Sequence, residues 1–170
     1  PAQCPAGRFG SSAHLTNASC SGECEQGYYC EAGSVSAKGA PCAEGSFGNE
    51  TGLESQANCT ACPEGHSCGV GVSQPTPCSA GAVQPNASQG TCASCAAGTY
   101  QGGEGQTACL TCSAGHYCEA GASAPLPCPS GRHQNGTMTA LNLSMTSEDD
   151  CIGCPAGAFC SCLLYTSDAA

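Results

Sequence analysis

Cysteine is the residue type in this chain with the widest chemical capacity, because its thiolate binds metals, attacks electrophiles and forms disulfides. The chain has 19 cysteines among 170 residues. Nine of them open the same tetrapeptide, Cys-x-x-Gly, and each is followed by a closing cysteine before the next copy starts. We call each stretch from an opening to a closing cysteine a half-module. The opening cysteines are Cys4, Cys24, Cys42, Cys62, Cys78, Cys95, Cys112, Cys128 and Cys154. The closing cysteines are Cys20, Cys30, Cys59, Cys68, Cys92, Cys109, Cys118, Cys151 and Cys160.

Zinc binding is the strongest rival to disulfide formation at these cysteines. Cys92, Cys95, Cys109 and Cys112 have the spacing of a four-thiolate zinc ribbon. The repeat explains each Cys-x-x-Cys differently, as the end of one half-module and the start of the next. A thioredoxin-like redox site needs a thiolate at a helix start within an apolar α/β fold, and no such pattern occurs here. We therefore interpret the eighteen paired cysteines as disulfides and keep zinc binding as a remote alternative.

Every asparagine in the chain lies in an Asn-x-Ser/Thr sequon, which is the acceptor for N-linked glycans in the secretory pathway. The six predicted glycosylation sites are Asn17, Asn49, Asn58, Asn86, Asn135 and Asn142. Dense cysteine points independently to the same oxidising compartment. The sequence thus predicts an extracellular protein or the ectodomain of a membrane protein.

No other residues form a convincing chemical site. His66 and His116 occupy a repeat position that holds Tyr28 and Ala158 elsewhere, so we interpret that position as a surface or stacking site. The acidic run Glu148-Asp149-Asp150 lacks the surrounding oxygen ligands of a calcium loop. We predict no catalytic residue, no metal, no cofactor and no enzymatic activity.

Composition predicts the fold class. Leu, Ile, Val and Phe total 16 of 170 residues and Trp is absent, which is too little apolar surface for a large core. Disulfides typically contribute about 2–4 kcal/mol each and can replace that core. With Gly and Pro at short intervals, we expect a small disulfide-rich fold: an elongated tandem array of short β-hairpin and turn modules, with little helix and no large hydrophobic core.

The disulfide connectivity stays open at this point, since sequence spacing fits two schemes. In the sequential scheme each half-module closes on itself. In the crossed scheme a short half-module is tied to the next long one. Its bonds are Cys24–Cys42, Cys30–Cys59, Cys62–Cys78, Cys68–Cys92, Cys112–Cys128 and Cys118–Cys151. We favour the crossed scheme because it would make a stiffer array.

The spacing Cys-Pro-x-Gly-x-x-Cys and Pro-Cys-x-x-Gly resembles the ephrin-receptor-like cysteine-rich repeat, in the growth-factor-receptor cysteine-rich group. It is similar in plan to the cysteine-rich repeats of tumour necrosis factor receptors. The best-matching stretches are Cys4-Pro-Ala-Gly-Arg-Phe, Cys95-Ala-Ala-Gly-Thr-Tyr and Cys154-Pro-Ala-Gly-Ala-Phe. The resemblance implies extracellular stalks and binding arms, and no catalytic residues.

We divide the chain into cysteine-rich repeats at 1–59, 60–92 and 93–151, the last with a glycosylated insert at 129–150, and a truncated repeat at 152–160. Residues 161–170, which hold the odd Cys162, break the pattern and are interpreted as a non-native tail. No apolar run reaches the ~20 residues of a membrane span, and we read the chain as a fragment of a longer protein.

With a net charge of −10 and three basic residues, nucleic acid is disfavoured as a partner. We expect the segment itself to make no membrane contact and to meet a protein ligand or neighbouring extracellular domains. The predicted function is a spacer stalk or protein-binding surface of a larger cell-surface receptor or adhesion protein. The alternative is a secreted matrix, coat or wall protein.

Overall fold

The structure is a computed structural model. It describes residues 4–10, 20–134, 144–156, 160–161 and 164–165. Three of the six predicted glycosylation sites, Asn17, Asn135 and Asn142, lie outside the described residues. The described chain forms nine two-stranded antiparallel hairpins and two 3₁₀ turns, with no sheet larger than two strands. The predicted fold class is confirmed: short hairpins, almost no helix, eight disulfides and no large core.

Each Cys-x-x-Gly tetrapeptide starts a tight turn. In the Cys24 half-module the Tyr28 N–H donates to the Glu25 carbonyl over 3.1 Å. Gly27, the third residue of this turn, has a φ of +83°. A positive φ at that position is what a type II turn requires, and glycine adopts it without steric cost. The glycine therefore sets the chain reversal from which the next strand begins.

In eight hairpins a strand of two or three residues follows the turn glycine and pairs with the residues just before the next opening cysteine. The first strand of these hairpins thus belongs to one half-module and the second ends at the start of the next, whereas the ninth hairpin lies after the last opening cysteine. The pairs are β1 (Arg8–Phe9) with β2 (Gly22–Glu23), β3 (Tyr28–Tyr29) with β4 (Ala40–Pro41), β5 (Ser46–Phe47) with β6 (Thr60–Ala61), β7 (His66–Ser67) with β8 (Thr76–Pro77), β9 (Ala82–Val83) with β10 (Ala93–Ser94), β11 (Thr99–Tyr100) with β12 (Leu110–Thr111), β13 (His116–Tyr117) with β14 (Leu126–Pro127), β15 (Arg132–Gln134) with β16 (Cys151–Gly153) and β17 (Cys160–Ser161) with β18 (Leu164–Tyr165).

The two 3₁₀ turns lie at Gln56–Asn58 and Glu148–Asp150, each directly before a closing cysteine. Contacts divide the chain into two compact units. Unit 1 is residues 1–78 with 84–92, and unit 2 is residues 79–83 with 93–170. The segment boundaries that we derived from the repeat stay a prediction.

Disulfides take the place of a core. Most buried side chains among the described residues are those of cysteines, and six opening or closing cysteines have no exposed surface: Cys24, Cys30, Cys42, Cys62, Cys68 and Cys118. The one cluster of packed side chains in the described part of the chain is in unit 2. There Met145, 1% exposed, packs with Cys128 and Cys151, and Tyr117 lies against them. Local disulfides therefore stabilise each unit more than apolar burial does.

Candidate functional site

The disulfides are the first element of the site that could give this chain a mechanical or recognition role. Eight of them join the opening and closing cysteines of single half-modules. The pairs are Cys4–Cys20, Cys24–Cys30, Cys42–Cys59, Cys62–Cys68, Cys78–Cys92, Cys95–Cys109, Cys112–Cys118 and Cys128–Cys151. Cys154 is disulfide-bonded as well. The side chains of Cys160 and Cys162 lie outside the described part of the structure.

The crossed connectivity that we favoured from sequence is therefore wrong. Cys62 bonds Cys68 and not Cys78, and Cys112 bonds Cys118 and not Cys128. The reason is local, because the type II turn and the strand after it fold the five intervening residues back on themselves. The Cα atoms of Cys62 and Cys68 come to 5.8 Å, which is an ordinary disulfide separation. Any stiffness between half-modules must come from something other than crossed bonds.

The zinc alternative fails on the same observation. Of the four candidate ligands, Cys95 and Cys109 bond each other, Cys92 bonds Cys78, and Cys112 bonds Cys118. A disulfide sulfur is not a thiolate and cannot act as a zinc ligand of this kind. The part of the chain that the structure describes has no group of three or more metal-ligating side chains.

Main-chain hydrogen bonds connect each half-module to the next. In the step from Cys24 to Cys42, the Gly27 N–H donates to the Gly48 carbonyl over 2.8 Å. The Gly52 N–H donates back to the Cys24 carbonyl over 3.0 Å. The Cys30 N–H donates to the Leu53 carbonyl over 2.9 Å. We call these three bonds the inter-module ladder.

The inter-module ladder repeats with the same register at four further steps. From Cys42 to Cys62, for example, the Gly71 N–H donates to the Cys42 carbonyl over 2.9 Å. From Cys95 to Cys112, the Gly121 N–H donates to the Cys95 carbonyl over 2.8 Å. At these five steps, main-chain groups of the turn are therefore hydrogen-bonded to the next half-module. Within each unit this coupling supplies the continuity that the crossed disulfides were expected to give.

Close approach between half-modules explains several of the turn glycines. A Cβ on Gly45 would overlap the carbonyl oxygen of Ser88, and one on Gly27 would overlap that of Gly71. A Cβ on Gly131, by contrast, would meet no described residue within 4 Å. Gly45 therefore serves the packing of one half-module on another, and Gly131 has no such contact with the described residues.

A 3₁₀ turn closes two of the long half-modules. In the Cys42 half-module the Asn58 Oδ1 accepts from the Ser55 N–H over 3.1 Å and from its Oγ over 3.0 Å. In the Cys128 half-module the Asp150 Oδ2 accepts from the Thr146 N–H over 2.7 Å and from the Ser147 N–H over 3.2 Å. These bonds lower the pKa of Asp150, the Thr146 main-chain bond having the largest effect.

A buried glutamine closes two other long half-modules. Gln84 Nε2 donates to the Thr91 carbonyl over 2.6 Å, while its Oε1 accepts from the Asn86 N–H over 3.1 Å. Gln101 makes the equivalent pair with the Ala108 carbonyl, at 2.7 Å, and the Gly103 N–H, at 3.0 Å. Both glutamines are 7% exposed.

Our sequence analysis missed both kinds of loop closure. A usable signal existed for the first, since Leu53-Glu-Ser-Gln-Ala-Asn-Cys59 and Met145-Thr-Ser-Glu-Asp-Asp-Cys151 share an apolar residue, a serine and an Asn or Asp at the same distances from the cysteine. For the second, Gln84 and Gln101 both stand three residues after the turn glycine and eight before the closing cysteine.

The described sequon asparagines lie on the surface of unit 1. Asn49, Asn58 and Asn86 are all exposed. The hydroxyl residue of the third sequon is Ser88, which has a φ of +59°. The equivalent ladder position in other half-modules holds Gly52, Gly71 or Gly121. Glycosylation of the six asparagines stays a prediction.

Exposed apolar side chains recur at one repeat position of unit 2. Leu110, Leu126 and Ile152 each stand two residues before an opening cysteine and are 50%, 48% and 40% exposed. They pair across their hairpins with Tyr100, Tyr117 and His133 respectively. In unit 1 the same position holds small or polar residues: Gly22, Ala40, Thr60 and Thr76. The two units therefore differ in chemistry at this repeat position.

The histidines have local partners. Nδ1 of His66 contacts the Glu64 carbonyl at 2.9 Å, and Nδ1 of His116 contacts the Ala114 carbonyl at 3.0 Å. Each ring is thus held to its own turn, at equivalent positions of two short half-modules.

Among the described residues no helix is long and apolar enough to span a membrane.

The comparison with protein families gives one match. Residues 81–125 match the family model described as tyrosine-protein kinase ephrin type A/B receptor-like. The matched segment contains the Cys95 and Cys112 half-modules, with their ladder step and their sequential disulfides. No curated protein matches the chain. Together with the disulfides, this repeat indicates an extracellular cysteine-rich segment.

Proposed function

Since residues 81–125 are an ephrin type A/B receptor-like cysteine-rich repeat, we propose that this chain is a spacer and protein-binding segment of a larger cell-surface receptor or adhesion protein. The inter-module ladder is the observation that carries the proposal. A spacer needs each half-module to be fixed to the next one. A ladder of main-chain hydrogen bonds does this without an apolar core. The proposal assigns the chain no catalytic role and no cofactor.

The surface of unit 2 supports the binding part of the proposal. Leu110 and Leu126 are about half exposed, although unpaired apolar side chains of this size are preferentially buried. Each lies beside an aromatic residue, Tyr100 or Tyr117, and aromatic residues are enriched in protein interfaces. No asparagine occurs between Asn86 and Asn135, so no N-linked glycan can be attached to these hairpins. A protein ligand or a neighbouring extracellular domain is the partner that we propose for them.

Small-angle scattering of the oxidised chain tests the spacer role. A compact domain of this length would have a radius of gyration of roughly 15 Å, and the unfolded chain one of roughly 40 Å or more. We expect a value clearly above the compact one that rises further on reduction. A radius of gyration near the compact value would contradict the spacer role.

The complete transcript distinguishes a receptor from a secreted structural protein. We expect an open reading frame in which further repeats after residue 160 lead to a membrane-spanning segment. A reading frame in which repeats continue to a stop codon without such a segment would favour a matrix, coat or wall protein and contradict the receptor assignment.

A further inference from the structure

The three described sequons have different local structures. The side chains of Asn49 and Asn86 make no hydrogen bond to any described residue, whereas Asn58 accepts two through Oδ1 from Ser55. Asn58 is the last residue of the 3₁₀ turn Gln56–Asn58. The residue after it, Cys59, is bonded to Cys42. Of these three sequons, Asn58-Cys59-Thr60 alone contains a disulfide cysteine.

We propose that glycosylation of Asn58 competes in time with closure of the Cys42–Cys59 disulfide, so that this site is modified only in chains whose loop is still open. Asn49 and Asn86 are modified independently of that closure. This inference goes beyond the spacer role and requires only that the chain passes through an oxidising secretory compartment.

The two competing reactions act on adjacent residues. In glycan transfer, Nδ2 of Asn58 forms a bond to the anomeric carbon of an oligosaccharide, the carbon–oxygen bond to its lipid pyrophosphate breaks, and the amide loses one proton. In closure, the thiols of Cys42 and Cys59 lose two protons and two electrons to the disulfide of an oxidoreductase, which becomes a dithiol. Neither reaction consumes a group that the other needs, so the competition is conformational.

The closed loop holds the sequon in the wrong shape for transfer. A transferase must bind the asparagine amide and the hydroxyl two residues later together, in an accessible segment that can adapt to its binding site. In the folded chain Asn58 is held in the 3₁₀ turn, and its own N–H donates to the Ser55 carbonyl over 3.0 Å. Thr60 lies in strand β6, opposite Phe47. Cys59, the residue between Asn58 and Thr60, is held by its disulfide to Cys42, and that bond opens only on reduction.

The reverse order is permitted by the same geometry. A glycan attached to Nδ2 leaves Oδ1 free to accept both bonds from Ser55, and Asn58 is exposed. A chain that is modified first can therefore still close its loop. We expect the secreted protein to be a mixture of fully disulfide-bonded chains that differ at Asn58.

Peptide mass spectrometry tests this inference in protein secreted from a eukaryotic host. Enzymatic removal of the glycans in ¹⁸O-water converts each occupied asparagine to a labelled aspartate. We expect wild-type occupancy at Asn58 to be several-fold below that at Asn49 and Asn86. In Cys42→Ser, which removes the disulfide and leaves the sequon intact, occupancy at Asn58 should rise to that of the other two sites. Cys78→Ser, which opens a different loop, should leave Asn58 unchanged.

A second measurement covers the case in which Cys42→Ser is not secreted. A short dithiothreitol pulse during synthesis delays disulfide formation in the wild-type chain, and occupancy of intracellular protein is then measured. We expect Asn58 occupancy to rise and Asn49 and Asn86 occupancy to stay the same. Equal occupancy at all three sites in disulfide-bonded wild-type protein, or no response to the pulse, would overturn the proposal. Absence of glycan at all three sites would overturn it together with the extracellular assignment.

Discussion

The Cys42–Cys59 half-module and the Cys78–Cys92 half-module close loops of similar length, with sequence separations of 17 and 14, in different ways. The first uses a 3₁₀ turn capped by Ser55 and Asn58, and the second uses the buried side chain of Gln84. In both, the inter-module ladder joins the half-module to the one before it. The two half-modules thus share the Cys-x-x-Gly turn and the ladder, whereas different side chains close the loop before the second cysteine.

Loop length decides which closure is used. The separations of 17 and 23 accommodate a 3₁₀ turn, which places Leu53 or Met145 over the preceding half-module. The two loops with separations of 14 have no such turn and are closed instead by the buried side chain of Gln84 or Gln101. Because each glutamine bonds two main-chain groups of its own loop, it takes the place of the turn as the local closure.

We expect the largest loss of local stability at Gly45, where the Cys42–Cys59 half-module approaches Ser88 of the Cys78–Cys92 half-module. Gly45→Ala would place a Cβ against the Ser88 carbonyl at a φ of +81°. We expect the opening free energy around the Ser88 N–H to fall by roughly 2–5 kcal/mol, from left-handed strain plus overlap. Hydrogen exchange of that amide, which donates to Cys62, measures the effect.

Gly131→Ala is the matched control for that substitution. Gly131 has a φ of +80°, but an added Cβ would meet no described residue within 4 Å, so we expect only the conformational cost of roughly 1–2 kcal/mol. Equal losses in the two variants would show that half-modules do not press on one another at Gly45.

Removing the glutamine closure should have an intermediate effect. Gln84→Ala deletes two hydrogen bonds from a buried side chain, and we expect a loss of roughly 2 kcal/mol in the local opening free energy of the Cys78–Cys92 loop. Gln89→Ala, which removes an exposed side chain with one bond to the Ala87 carbonyl, is the control and should change little. Exchange rates of the Asn86 amide report both. If Gln84→Ala leaves the exchange rate of the Asn86 amide unchanged, the disulfide alone closes the loop.

The 3₁₀ closure should depend on an acceptor at position 150 more than on its charge. Asp150→Ala removes the acceptor and should cost about 1 kcal/mol, the usual cost of losing a cap. Asp150→Asn keeps an acceptor, as Asn58 does in the other loop, and should recover most of that loss at neutral pH.

The pH dependence separates these two variants further. Because the folded pKa of Asp150 is depressed, its stabilisation is present above the unfolded pKa and is lost as pH falls through the folded pKa. Acid titration of hydrogen exchange at the Thr146 amide should show this loss in the wild type and not in Asp150→Asn. Identical acid profiles would contradict an ionised acceptor.

The smallest effect should come from Ser88, which occupies a ladder position held elsewhere by glycine. Ser88→Gly removes left-handed strain but loosens the unfolded chain, so in unglycosylated protein we expect a change within about 1 kcal/mol. The same change removes the Asn86 sequon and should abolish any glycan there. A large loss of stability would instead give the Ser88 side chain a packing role.

The parts of the fold that sequence analysis predicted correctly are the local ones. The Cys-x-x-Gly turns, the short hairpins and the lack of a core follow from residues a few positions apart and from composition. The connectivity could not be predicted, because Cys62 has cysteines at suitable spacings in both Cys68 and Cys78, and only the folded path of the turn selects between them. The inter-module ladder uses main-chain groups, which leave no residue-specific signal except the glycines.

The most direct test of the account is disulfide mapping of the secreted, non-reduced chain, digested at acidic pH so that disulfides do not exchange. Closure of every half-module on itself, with the ladder and not the disulfides joining neighbours, predicts linked peptides for Cys62–Cys68 and Cys112–Cys118. Peptides that link Cys62 to Cys78 and Cys112 to Cys128 would contradict it, because the covalent bonds themselves would then join adjacent half-modules.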